Sequence, residues 1–308
     1  MIIFYKNKKK KQHKYLIYTN SKDITEGKMS QLPITDNHIH FDMVRGRGLE
    51  AVRDFKNAGG THMFLVTLPS RHLGISVKKS EDYEEIFMRT IAMTEKFKEE
   101  NVTAFPVLGI HPVDILYLSE ENGIEKAIEI ICGGFDIAAK YVREKNAVAL
   151  KSGRPHFPVA VEILEASNRI MDHVFCLGKE LKCAVQLHVE DMTEESLASI
   201  SEIVKTAGIL PEKVINHHAT PLVSAAEKYG IWPSIPAGKD NIEIALSQGN
   251  RFVMETDYVD DPDKPGFVLG PKTVPKKTKK LIEIYGEESF WKIHQENPQR
   301  IYDVDIEI

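Results

Sequence analysis

Five segments of the 308-residue chain end in groups that bind divalent metal ions. Asp36-Asn37-His38-Ile39-His40 places two imidazoles two residues apart. Gly109-Ile110-His111-Pro112, Gln186-Leu187-His188 and Asn216-His217-His218 each finish an apolar run with imidazole, and Glu255-Thr256-Asp257 finishes one with carboxylates. Neutral imidazole nitrogens and carboxylate oxygens suit zinc, manganese, iron or nickel, so donor type alone leaves the ion open. In a strand, successive side chains point to opposite faces, so His38 and His40 share a face and can converge on one ion. A lone His-x-His pair fits a hydrogen-bonded core just as well. Five segments ending alike do not, because unrelated core histidines have no reason to select the same end.

These segments need a scaffold that brings strand ends together. From Ile34 onward, short apolar runs alternate with longer amphipathic stretches, the pattern of a parallel α/β fold. Strands are expected at 34–40, 62–68, 103–110, 147–151, 184–188, 214–217, 231–235 and 252–257, the seventh being the least distinct. Helical spacing fills the intervals, with a stop at Gly59-Gly60. The stretch 114–146 is too long for one helix and is expected to break near Gly133-Gly134. Eight strand–helix units without a dividing linker predict a (β/α)8 TIM barrel over 31–308, with its active site at the C-terminal ends of the strands.

Charge is distributed unevenly. Residues 1–28 hold eight Lys against two acidic residues, leaving 32 basic and 43 acidic side chains in the remainder. The segment 1–30 is expected to be a disordered basic extension, with a nucleic-acid-binding arm as the alternative and Met29 as a possible natural start. Its lysines follow the apolar Met1–Tyr5 run, the reverse of a secretory signal. The acidic remainder is a poor general surface for duplex DNA, whose phosphates need neutralising. Cys132, Cys176 and Cys183 are odd in number and widely spaced, which argues against a disulfide framework. No apolar run approaches the ~20 residues of a membrane span, and a cytoplasmic location without a membrane partner is expected.

The ordered set DNHIHFD, GIHP, the histidines of the fifth and sixth strands, and ETD resembles the TatD-type metal-dependent hydrolases of the amidohydrolase superfamily. Glu296-Asn297-Pro298-Gln299-Arg300-Ile301-Tyr302 is similar to the family's closing Asn-Pro motif. The resemblance implies that His38, His40 and Asp257 hold one metal, that His188 and His217 help to hold a second, and that His111 lies near substrate. His217 is preferred to His218, which is expected to face the packing layer. Family members usually carry a bridging Glu at the end of the fourth strand; here Lys151 stands in its place. An ammonium beside two divalent cations would be strongly repelled. Either Lys151 is carboxylated to a carbamate that bridges the metals, as in the phosphotriesterase branch, or one metal is bound and Lys151 meets the substrate. Glu162 and Glu165 lie further on, in the following helix.

Arg154 and His156, directly after the fourth strand, are expected to grip a phosphate or carboxylate. Arg71 and His72 are weaker candidates, and His13, His62 and His294 are expected to be structural. The acidic stretch 260–266 reads as a solvated loop, with a lid as the alternative. The expected activity is hydrolysis of an ester, a phosphoester first, in a small-molecule or nucleic-acid-derived substrate. One or two metal ions would activate the water, with Asp257 as the proton acceptor. The alternatives are a carbamate-bridged lactonase, phosphotriesterase or cyclic amidase, a non-catalytic metal-binding barrel, and a Schiff-base enzyme working through Lys151.

Overall fold

A computed structural model describes residues 31–263 and 268–308. The expected basic extension at 1–30, with His13, and residues 264–266 of the acidic loop lie outside these. The chain opens with β1 (Thr35–His40), α1 (Leu49–Ala58), β2 (His62–Val66), α2 (Asp82–Glu99) and β3 (Thr103–Gly109). Two helices follow, α3 (Asp114–Asn122) and α4 (Ile124–Arg143), then β4 (Ala149–Gly153) and α5 (Val161–Leu181). Next come β5 (Ala184–His188), α6 (Glu194–Ala207), β6 (Val214–Asn216) and α7 (Val223–Lys228). The ring ends with β7 (Trp232–Pro236), α8 (Asn241–Leu246), β8 (Val253–Glu255) and a short β9 (Tyr258–Val259). Helices α9 (Thr273–Tyr285), α10 (Glu288–Trp291) and α11 (Asn297–Tyr302) complete the chain, the last two joined by a π-helical turn.

All pairings are parallel, in the order β8-β7-β6-β5-β4-β3-β2-β1-β9. This is the expected α/β barrel of TIM type, and its closure sits at the candidate site. The eighth strand bends at Thr256-Asp257 and resumes as β9 beside β1, with Ile39 opposite Tyr258. Asp257 N donates to His38 O at 3.0 Å. The Asp36 carboxylate accepts from Thr256 N at 3.1 Å and Thr256 Oγ1 at 2.7 Å. Closure thus fixes Asp257 against the His-x-His strand.

Period-two alternation fills two layers. Inside the ring, Phe64, Val66, Val107, Ala149, Ile215 and Trp232 pack together, closed from below by Ile301 and Tyr302. The Tyr302 ring stacks on Phe64 with centroids 3.9 Å apart. Leu150, Val185 and Leu187 face outward onto Ile170, Val174 and Phe175 of α5. With Leu150 outside and Ala149 inside, Lys151 must point inward, one layer above the apolar plug.

The expected break near Gly133-Gly134 is not there: α4 runs through both glycines, and the break falls at Gly123, whose φ is 80°. Gly133 and Gly134 serve close packing instead, since a Cβ at either would overlap Ser80 or Tyr83. Cys132, Cys176 and Cys183 are unpaired. No helix among the described residues is long and apolar enough to cross a membrane.

Candidate metal centre

β1 delivers His38 and His40 side by side, 0% and 5% exposed. His38 Nδ1 lies 2.6 Å from Gln186 Oε1, and His40 Nδ1 2.8 Å from Val66 O. The Gln186 amide is oriented by its own donor, which reaches Asn37 O at 3.0 Å and Tyr302 Oη at 2.8 Å. Both partners of the Nδ1 atoms are therefore oxygen acceptors, which places the histidine protons on Nδ1 and leaves the Nε2 lone pairs free. Those two Nε2 atoms face each other at 3.1 Å, and Asp257 Oδ1 stands 3.9 Å from one and 3.6 Å from the other. Burial holds both imidazoles neutral, well below the usual pKa of 6.5. Two unprotonated acceptors aimed at one another beside a carboxylate form a donor set that fits a divalent cation.

His217, at the end of β6, is held in the same way. Its Nδ1 meets Glu255 Oε1 at 3.0 Å, and its ring stacks on His38 with centroids 3.5 Å apart. Glu255 could itself be grouped with His38 and His217 as a ligand. We assign it the orienting role because it is fully buried and also accepts from His218 N at 2.8 Å and from Ser234 Oγ. Burial raises its carboxyl to about 7. His188 extends the group, its ring centroid 5.4 Å from His217 and 4.6 Å from His111, with Nε2 2.9 Å from His156 Nδ1. Val113 N donates to His111 Nδ1 at 3.3 Å, leaving His111 with its proton on Nε2.

Lys151 is 1% exposed, and its ammonium has no hydrogen-bond acceptor among the described residues. Burial lowers its pKa to about 8, although Asp257 and Asp114 act in the opposite direction. It is close enough to depress the pKa of His38, His40, His111, His188 and His217, each of which burial already lowers. Burial, and then Glu255, raises Asp257 to about 8. The Asp257 backbone is left-handed, φ 51°, a strained conformation that aspartate tolerates better than most residues. Lys151, Asp257, His40, His111, His188 and His217 share a cavity of about 270 Å³.

Other expected residues are placed differently. Arg154 is buried and its guanidinium forks onto the Glu190 carboxylate, with Nε to Oε2 at 2.8 Å, so it offers no free cation. His156 is exposed beside His188. His218 does not enter the packing layer: its left-handed backbone, φ 52°, turns it towards a larger outer cleft. Glu162 and Glu165 are exposed on α5. Arg71 lies over the Tyr117 ring, whereas His72 lines the cavity, 3.7 Å from Asp42 and 3.8 Å from Asp261. His62 and His294 are buried away from the cavity, bonded to Thr61 and Thr278. The orienting roles of Gln186 and Ser234 went unseen in the sequence, where neither residue carries a motif.

The model of the family described as TatD related DNase matches residues 35–303. The chain belongs to the TatD-related DNase family. It is a metal-dependent hydrolase. An uncharacterised protein of Methanocaldococcus jannaschii is 40% identical over 285 residues, covering 91% of this chain and 99% of its own. Among solved structures, the Escherichia coli TatD homologue YJJV is similar with a TM-score of 0.62 at 16% identity, covering 88% of this chain and 98% of that one. The Escherichia coli phosphotriesterase homology protein, complexed with phosphate in its active site, matches with a TM-score of 0.56 at 9% identity, covering 88% and 99%. At these identities the two structures support the shared barrel alone. In this family member, Lys151 of β4 points into the cavity among the histidines.

Proposed function

We propose that this TatD-related chain hydrolyses an ester bond at a binuclear divalent-metal centre, and that Lys151 enters that centre as a carbamate. The observation that carries the proposal is the setting of Lys151, buried among five imidazoles without an acceptor for its ammonium. A cation there would repel any divalent ion, whereas the neutral amine can add to carbon dioxide. In that addition the nitrogen lone pair forms an N–C bond, one C=O pair moves onto oxygen, and the amine proton leaves to water. The carbamate would present two oxygens sharing one negative charge, as the glutamate usual in the family does.

His38, His40 and Asp257 would hold one ion and His188 with His217 the other. Divalent ions, when bound there, would supply polarisation of a carbonyl or phosphoryl oxygen and would lower the pKa of water from ~15.7 to about 7. Asp257, within 4 Å of both His-x-His nitrogens, accepts the proton of the attacking water. His111 supplies an Nε2–H donor to the substrate oxygen, and His156, at the rim beside His188, meets the substrate further out. The family description and the phosphate in the Escherichia coli neighbour both make phosphoesters worth testing beside carboxyl esters and lactones.

The test strips the purified chain of metal and restores Zn²⁺ or Mn²⁺ with and without bicarbonate. Single-stranded DNA, simple phosphodiesters, carboxyl esters and lactones are then offered. Activity should require the metal and recover more fully with bicarbonate. Activity indifferent to chelation would reject the proposal, as would borohydride trapping of Lys151 on a carbonyl substrate.

A further inference from the structure

The metal cavity opens into a second, larger hollow of about 1270 Å³, and His111, His188, Asp257 and Val268 line both. A substrate whose reacting bond reaches Asp257 can therefore lay its remainder in this cleft. One wall is apolar, formed by Pro155, Phe157, Pro158, Val159 and Leu164, from the loop after β4 and the first turn of α5. Phe157 and Leu164 are 41% and 37% exposed, apolar surface with no described side chain covering it.

The other wall is acidic, contributed by Asp191 after β5 and Glu195 at the start of α6, beside the Glu190–Arg154 ion pair. Among the described residues Arg154 is the one guanidinium in the lining and no lysine joins it. Arg154 is already neutralised by its fork onto Glu190. The N-terminus of α6 is also poorly disposed to take an anion. Its capping box closes on itself, with Thr193 N to Ser196 Oγ at 2.9 Å and Ser196 N to Thr193 Oγ1 at 3.1 Å, and Glu194 and Glu195 fill the first turn.

A polynucleotide carries a negative charge at every phosphate and draws its affinity from cations that neutralise them. Beside its imidazoles and hydroxyls, this cleft would present carboxylates and hydrocarbon, with no lysine and no unpaired guanidinium among the described residues. We infer that the site takes uncharged organic esters, lactones included, whose apolar substituent lies along Phe157 and Leu164. The inference rests on the ester-hydrolase proposal for the reaction and adds the class of substrate. The volume exceeds the 300–1,000 Å³ of most small-molecule pockets, leaving room for a chain or ring beyond the reacting group.

The test uses the full metal-loaded chain with p-nitrophenyl alkanoates from acetate to octanoate, bis-p-nitrophenyl phosphate and single-stranded DNA. Each buried methylene should raise kcat/KM by roughly three- to fourfold until the cleft is filled. Phe157→Ser should flatten that dependence, and Asp191→Asn with Glu195→Gln should improve the phosphodiester relative to the esters. Preference for DNA or phosphodiester over every alkanoate would overturn the inference, as would an undiminished chain-length slope in Phe157→Ser. Binding of N-alkyl acetamides, which are not substrates, is measured calorimetrically in parallel. Chain-length-dependent binding that Phe157→Ser weakens, without hydrolysis of any ester, would uphold the cleft while rejecting the ester-hydrolase proposal. Absence of such binding would reject the cleft itself.

Discussion

Lys151 concentrates the chemical question in one side chain, because the same position must supply either a cation or a bridging anion. If it bridges as a carbamate, Lys151→Ala should lose bound metal and activity together, and added acetate or propionate should restore part of both. Lys151→Glu should keep its metal, since the shorter carboxylate recreates the usual family donor. Metal analysis after dialysis checks both, and a Lys151→Ala chain that retains wild-type metal content would contradict the assignment. Gln186→Ala should weaken metal affinity roughly 10- to 100-fold by freeing the His38 ring, measurable by competition with a chelating dye. At this scale the convergence of the candidate residues was legible, because alternation ties His38 to His40 and places His217 on the inner face. Gln186 and Glu255 were not legible as orienting groups. Gln186 meets His38 across 148 residues of sequence and Glu255 meets His217 across 38, through strand register that no local pattern records.

The elements that hold these residues depend on backbone contacts with little slack. A Cβ at Gly109 would overlap the Lys151 carbonyl, and one at Gly153, where φ is 150°, would overlap the His188 carbonyl. Gly153→Ala should destabilise the fold by about 1–3 kcal/mol and reduce metal affinity as well, because relief requires β4 and β5 to separate beneath Lys151 and His188. Chemical denaturation and metal titration read the two effects. Gly74→Ala, at a left-handed position with open space around it, should cost stability without touching metal affinity. The strands and most helices were readable from hydrophobic period, whereas the two-residue β9 was not. It exists because Thr256 and Asp36 bend the eighth strand back onto β1, a tertiary event. The misplaced helix break has the same origin: the Gly133-Gly134 pair signals a turn locally, but packing against Ser80 and Tyr83 uses it as a contact.

For the whole molecule, burial of so many titratable groups makes the metal-free fold sensitive to pH. His38, His40, His62, His111, His188, His217 and His294 are all held neutral, with pKa values below 6.5. Groups depressed on folding contribute stability that is complete above the unfolded value of 6.5 and is lost as pH falls towards the folded value. Asp36 and Asp257, raised to about 8, and Glu255, raised to about 7, act oppositely, as does Asp114. Their contribution is complete below the ordinary carboxylate pKa and lost as pH rises through the folded values. Between pH 6.5 and 5 the imidazoles outnumber the carboxylates, so the Tm of the metal-free chain should fall over that interval. A Tm that climbs steadily to pH 5 would contradict this balance. The (β/α)8 barrel itself was legible from eight alternating units. The outer cleft was not, since its walls come from loops whose shapes follow no period.

The central claim is tested most directly by the ¹³C spectrum of the metal-loaded chain equilibrated with ¹³C-bicarbonate. A carbamate resonance is expected in the wild type, lost on metal removal and absent from Lys151→Arg. A metal-loaded, ester-hydrolysing wild-type chain with no such resonance would show Lys151 to be a bare amine and contradict the account.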